Sequence, residues 1–127
     1  MAKPMTRRQK RVSELLRREI CYLLKTKIKD PRLGFVTVTD VEVSFDLKDA
    51  YVYVSALEGA ERKEEILEGL NSASGFLRRQ IAEALRLKFI PRLKFLWDDS
   101  LERGQRIEKI LRKLAEERNE RGDSESP

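Results

Sequence analysis

Two consecutive stretches rich in β-branched residues, with helical patterns on either side, constrain the fold of this chain most. Phe35 to Val43 and Ala50 to Leu57 alternate apolar and polar side chains, and the first changes phase near Thr39 and Asp40, which predicts a bulge. A turn at Ser44 to Asp49 separates the two stretches, so we expect an antiparallel hairpin. Because helical patterns precede and follow the hairpin, the sequence predicts a two-layer α+β sandwich with helices on one face of a small sheet.

The first helix carries most of the positive charge. Thr6 and Gln9 have capping-box spacing, which predicts a helix from that point to about Lys27. Residues 1–32 contain 11 Lys and Arg against three Asp and Glu, although the whole chain has a net charge of only +5. The apolar residues predict one buried face, and the opposite stripe holds Arg7, Arg11, Arg18 and Lys25, flanked by Arg8 and Lys10. Such a stripe is either a solvated face or a polyanion-binding face, and we favour nucleic-acid binding.

Asn71 to Phe76 is a run of small and polar residues between two short amphipathic segments. Asn, Ser and Gly disfavour a helix interior, so we expect a kink or break between two helices, with Ser72 or Ser74 capping the second. A helix N-terminus followed by Arg78 and Arg79 could hold a phosphate. An ordinary helix–helix turn is the alternative, and the local sequence alone favours it.

The remaining pattern completes one domain. Leu93, Phe95 and Trp97 alternate as a third strand, and Ile107, Ile110, Leu111 and Leu114 form the stripe of a last helix. The predicted order is helix, strand, strand, helix, helix, strand, helix. We expect an extension at 1–5, a folded domain at 6–98, a C-terminal helix at 99–117 and a disordered tail at 118–127.

Several classes of function are disfavoured. The chain has no histidine and one cysteine, so the commonest general base and the usual zinc ligands are missing, and no nucleotide-binding glycine motif occurs. Its longest uncharged run is nine residues, far below the roughly 20 that a transmembrane helix needs. We therefore expect a cytoplasmic protein without catalytic residues, metal or cofactor, and without a membrane partner.

The order of elements matches a type II KH domain, which clamps RNA with a GXXG loop between its central helices. At that place this chain has Ser72-Ala73-Ser74-Gly75, so the clamp is altered. Tyr51 and Tyr53 could stack bases on the sheet, although cross-strand packing explains them better. Two other roles stay open: a general KH-type regulator that binds single-stranded RNA, and a DNA-binding helix–turn–helix.

Taken together and in order, several segments closely resemble the ribosome-binding factor A family. Ala73-Ser74-Gly75 matches the Ala-X-Gly kink that replaces the GXXG loop in this family. Asp30-Pro31-Arg32 before the first strand and Tyr51 to Ser55 in the second are also similar, as is Pro91 to Phe95 with Asp98, Ser100, Gly104, Arg106 and Ile107. The likeness spans roughly residues 6–114.

The resemblance implies a KH-like, non-catalytic bacterial factor that binds the immature 30S subunit and 16S rRNA. Such factors assist late maturation of the subunit and of the 16S rRNA 5′ end, support growth in the cold, and leave with help from a GTPase. We expect a monomer. The predicted RNA-binding residues are Arg7, Arg8, Lys10, Arg11, Arg18, Lys25, Ser74, Gly75, Arg78, Arg79, Arg86, Lys88, Arg92 and Lys94.

Overall fold

A computed structural model describes residues 4–33, 36–57 and 59–125. Phe35, where the first strand was expected to begin, lies outside them, as do residues 1–3 of the predicted extension and 126–127 of the predicted tail. Short 3-10 turns lie at Pro31–Leu33 and Ala60–Arg62. The helices and strands are α1 (Arg7–Thr26), β1 (Val36–Val43), β2 (Asp49–Ala56), α2 (Lys63–Leu85), β3 (Arg92–Trp97) and α3 (Ser100–Glu125).

The sheet has the order β1-β2-β3. Strands β1 and β2 pair antiparallel, and their register shifts between Val38 and Asp40, so the hairpin and its bulge are confirmed. Strand β3 pairs in parallel with β2, with Phe95 beside Val52. Parallel neighbours need a long crossover, and α2 supplies it. The sequence predicted the third strand but not its direction or its partner.

Helices α1 and α2 cover the same face of the sheet, with α1 over β1 and α2 over β3. Between the layers lies one continuous core, in which Leu16, Ile20, Val52, Leu70 and Ile81 are completely buried. Burying side chains of this size contributes roughly 1.5–3 kcal/mol each, and this burial holds the helices to the sheet. The predicted α+β sandwich of KH-like type is confirmed.

Helix α1 begins as predicted. Thr6 and Gln9 form the reciprocal capping box, because the Thr6 hydroxyl accepts from the Gln9 backbone and the Gln9 side chain accepts from the Thr6 backbone. The buried Gln9 amide also donates to the Val43 carbonyl at 2.8 Å, and the Ser13 hydroxyl accepts from the Val43 N–H at 3.2 Å. These two bonds fix the N-terminal half of α1 beside the end of β1. Further along α1, Cys21 is exposed.

Helix α2 is continuous, so of the predicted kink or break near Ser72 to Gly75 the break is wrong. Ile66, Leu70, Leu77 and Ile81 are buried at spacings of one helical turn or two. That burial outweighs the unfavourable propensity of Asn, Ser and Gly, which is at most about 1 kcal/mol per residue. The Ser74 hydroxyl donates to the Asn71 carbonyl at 2.9 Å instead of capping a helix. The helix–turn–helix alternative fails for the same reason.

Helix α3 runs from Ser100 to Glu125, well past the predicted end at 117 and into the segment expected to be disordered. Its apolar stripe of Ile107, Ile110, Leu111 and Leu114 is more than half exposed. No side chain of α3 whose burial is described contributes to the core.

Candidate nucleic-acid interface

The outer face of α1 presents the predicted cationic stripe. Burial of Leu16, Ile20 and Leu23, together with the two bonds to Val43, sets the rotation of the helix. The opposite side therefore points to solvent. All six residues of the helix that are predicted to bind RNA are exposed: Arg7, Arg8, Lys10, Arg11, Arg18 and Lys25.

This face is only weakly neutralised. Arg18 bonds Glu14 at 3.2 Å, but both side chains are mostly exposed, and such pairs contribute less than about 1 kcal/mol. Within the described ranges, Arg7 and Arg11 form no ion pair. The first two turns of α1 thus present unpaired guanidinium groups, which bind phosphate oxygens well.

On α2 the predicted residues lie along an unbroken helix. Arg78 donates to the Ile90 carbonyl at 3.0 Å, which ties the helix to the connection before β3. Gly75 has no positive φ, and a Cβ placed there would lie 3.7 Å from Nη1 of Arg79. Ser74 is half-buried. Without a helix N-terminus here, phosphate binding by this segment would depend on Arg78 and Arg79.

Arg86 and Lys88 follow the end of α2. Arg86 is the C-cap in the left-handed conformation, with φ of 51°, and its backbone N–H donates to the Ala82 carbonyl. The Lys88 ammonium lies 5.6 Å from the centroid of the Phe89 ring. Both basic side chains are exposed.

Arg92 and Lys94 lie on a different side of the molecule from the helices. Leu93 and Phe95 are buried against the helices, so by strand alternation Arg92 and Lys94 point to the open face of the sheet. Arg92 bonds the Asp49 carboxylate at 3.0 Å, and Lys94 approaches it at 3.7 Å. The structure therefore does not join all the predicted basic residues into one surface.

Asp30, Arg32 and Gly69 form a cluster whose packing role the sequence did not reveal. Arg32 donates to both carboxylate oxygens of Asp30, and this hydrogen bonding lowers the pKa of Asp30 below its ordinary value of 3.8 and raises that of Arg32. A Cβ at Gly69 would lie 3.1 Å from Cδ2 of Leu33 and 3.4 Å from Nε of Arg32. Gly69 lets the α1–β1 connection lie against α2.

The described residues offer neither a metal site nor a membrane span. The described residues contain no cluster of three or more His, Cys, Asp or Glu side chains that could hold a metal ion. None of the described helices is both long and apolar enough to span a bilayer.

A family model described as "Ribosome-binding factor A" matches residues 8–111. The ribosome-binding factor A of Halothermothrix orenii is 44% identical over 110 residues, which cover 87% of this chain and 90% of that relative.

The chain belongs to the ribosome-binding factor A family.

A crystal structure and a fitted homology model from this family have the same fold as this chain. The crystal structure of ribosome-binding factor A from Thermus thermophilus superposes on this chain with a TM-score of 0.64 and 30% sequence identity. The match covers 70% of this chain and 93% of the crystallised chain. A homology model of the Thermus thermophilus protein, fitted into a cryo-EM map of a 30S–RbfA complex, has a TM-score of 0.55 at 29% identity. The match covers 76% of this chain and 97% of the fitted homology model.

The family match includes every predicted RNA-binding residue except Arg7, which lies one position before it. It ends at residue 111, within α3, so the distal half of that helix lies beyond the match.

Proposed function

We propose that this chain is an assembly factor that binds the immature 30S subunit through 16S rRNA. The observation that carries the proposal is the exposed cationic face of α1 on a fold of the ribosome-binding factor A family. A family member fitted into a map of a 30S–RbfA complex supports the same partner.

The proposed contact is with the sugar–phosphate backbone of folded rRNA. Arg7, Arg8, Lys10 and Arg11 lie on the first turns of α1, and the chain adds Arg78 and Arg79 on α2. Guanidinium groups bind phosphate oxygens in any sequence, so recognition would depend on the shape of the RNA. Arg92 and Lys94 would contribute less, because Asp49 partly neutralises them.

From family membership we also propose the finer roles. The factor would assist late maturation of the 30S subunit and of the 16S rRNA 5′ end, and would matter most in the cold. It would act in the cytoplasm as a monomer, without catalysis, and a ribosome-assembly GTPase would promote its release. In cells depleted of the factor, 16S rRNA with an extended 5′ end should accumulate.

Cosedimentation with separated ribosomal subunits over a salt series tests the proposal. We expect binding to small but not large subunits, with affinity falling steeply as salt rises because counterions are released from the RNA. Short unstructured RNA should compete poorly. If it displaces the protein as well as small subunits do, a general single-stranded RNA regulator is the better interpretation.

A further inference from the structure

One end of the sheet brings together two loops that are distant in sequence. The β1–β2 turn, residues 44–48, lies beside the α2–β3 connection, residues 86–91, because the Arg92 N–H donates to the Lys48 carbonyl at 2.8 Å. The Arg92 guanidinium also bonds Asp49 at 3.0 Å. We call this region the hairpin end.

Each loop at the hairpin end holds one apolar residue inward and exposes an aromatic ring. Leu47 and Ile90 pack against the core. Phe45 and Phe89 are instead 81% and 77% exposed, the highest exposures among the aromatic residues that the structure describes. Exposing a Phe ring to water is unfavourable by roughly 1.5–3 kcal/mol relative to burial, so two at one end call for an explanation.

The loops that present these rings are held in place. In the turn, the Asp46 carboxylate accepts from the Ser44 hydroxyl and from the Lys48 N–H, and the Ser44 hydroxyl accepts from the Asp49 N–H. The other loop is held by the Arg78 bond to the Ile90 carbonyl.

Backbone conformation points to the same two loops. Leu47 and Arg86 are the two non-glycine residues with positive φ in the described chain, and each lies within three positions of an exposed Phe. This conformation costs of order 1 kcal/mol in each case. At Arg86 it ends α2 as a left-handed C-cap, and at Leu47 it lies within the β1–β2 turn, so the backbone of both loops is well defined.

The surroundings of the rings are basic. Lys48 lies in the same turn as Phe45, Arg86 lies in the same connection as Phe89, and the Lys88 ammonium is 5.6 Å from the centroid of the Phe89 ring. The bond from Gln9 to the Val43 carbonyl brings the arginine-rich start of α1 to this same end. The nearby carboxylates are engaged: Asp46 within the turn, and Asp49 with Arg92 and Lys94.

We propose that Phe45 and Phe89 stack against unpaired nucleobases of rRNA while the neighbouring basic side chains hold the adjoining phosphates. Exposed aromatics among basic residues are the usual platform for unstacked bases, and stacking tolerates any base. An apolar protein partner fits less well, because Lys88 lies 5.6 Å from the centroid of the Phe89 ring and Lys48 belongs to the same turn as Phe45. This inference rests on the proposed function and names the part of the RNA that would be recognised there.

The test compares the double variants Phe45→Leu/Phe89→Leu and Phe45→Trp/Phe89→Trp in 30S binding. Leucine keeps an apolar side chain but removes the flat ring, whereas tryptophan keeps the ring. We expect about tenfold weaker binding per ring for leucine, or about 100-fold for the double variant, and near wild-type binding for tryptophan. The salt slope should not change, because no phosphate contact is removed. Leu57→Ala, at an 83% exposed position at the other end of β2, is the control.

The outcomes are distinguishable. If the leucine variant binds 30S subunits as tightly as wild type, or the tryptophan variant loses affinity equally, base stacking is wrong while the proposed function stands. If the leucine variant keeps wild-type affinity while a third double variant, Phe45→Ala/Phe89→Ala, loses it, the contact is with an apolar protein surface, which also overturns the inference. If wild type fails to bind small subunits, the proposed function itself fails. Because both rings are exposed, thermal midpoints should match wild type in every variant.

Discussion

At the scale of single residues, the two glycines of α2 have opposite roles. Gly69 lies against Leu33 and Arg32, where a Cβ would be crowded, whereas Gly75 has open space apart from the Arg79 side chain. The sequence drew attention to Gly75 because it lies in the small-residue run. Only the folded neighbours reveal that Gly69 is the position where a side chain would interfere.

Gly75→Ala should stabilise the protein by about 0.5–1 kcal/mol, because alanine loses less backbone entropy in a helix and its Cβ meets no backbone. Gly69→Val should destabilise it by about 1–3 kcal/mol through overpacking against Leu33. Urea unfolding of both variants measures the two changes. A strong loss of stability in Gly75→Ala would show that this position needs glycine after all.

The Asp30–Arg32 pair predicts a dependence on pH. The folded-state pKa of Asp30 is lowered by its bonds to Arg32, so its contribution to stability is present above 3.8 and is lost as pH falls through the lower, folded-state pKa. Asp30→Asn should therefore have a lower thermal midpoint than wild type at pH 7, and the difference should shrink below pH 3.8. A difference that stays constant down to pH 2 would contradict this assignment.

At the scale of elements, the correct predictions depend on residues that are close together in the sequence. The capping box of α1 depends on Thr6 and Gln9, and the hairpin and its bulge depend on side-chain alternation within a few residues. The continuity of α2 depends on burial by the sheet of four residues: Ile66, Leu70, Leu77 and Ile81. Helix propensities of neighbouring residues contain no information about this burial.

The same distinction applies to the candidate site. Exposure of the basic stripe on α1 follows from helical periodicity, so the sequence was sufficient for it. The partial neutralisation of Arg92 and Lys94 requires the register of β3 beside Asp49, and the exposure of Phe45 and Phe89 requires knowing that Leu47 and Ile90 are the inward residues. An apolar residue in a loop can face either the core or the solvent, and the sequence pattern does not distinguish the two.

For α1, reversing three charges should remove 30S binding without unfolding the chain. Changing Arg7, Arg11 and Arg18 to Glu removes up to three bonds to phosphate, so affinity should fall at least 100-fold and the salt slope should decrease by about one for each bond removed. Thermal unfolding should stay near wild type, because all three are exposed. Cosedimentation across a salt series measures both effects.

The matched control lies on α3, where Lys109, Lys113 and Arg118 are also exposed. Their change to Glu alters net charge by the same amount. Equal loss of binding in both triple variants would indicate attraction by overall charge, and would count against a specific role for α1.

At the scale of the whole molecule, one core supports the domain, and the described side chains of α3 lie outside that core. The residues of that core come from α1, α2, the three strands and the Pro31–Leu33 turn. None of the described side chains of α3 belongs to the core. We therefore expect that removing α3 leaves the stability of the domain unchanged, whatever function α3 has.

A chain ending at Asp99 should therefore keep its free energy of unfolding within about 0.5 kcal/mol of the full-length value, because the described side chains of α3 lie outside the core. Urea unfolding measures this, and circular dichroism should show the loss of helix. A fall of several kcal/mol would mean that the stripe of Ile107, Ile110, Leu111 and Leu114 packs on the domain in solution.

The exposed thiol of Cys21 has a practical consequence. It is the one cysteine in the chain, and it is exposed on the helix that carries the proposed contact with rRNA. A maleimide dye would attach there alone, without any engineered substitution. Its fluorescence would then report docking and departure of the factor in real time, on the unaltered sequence.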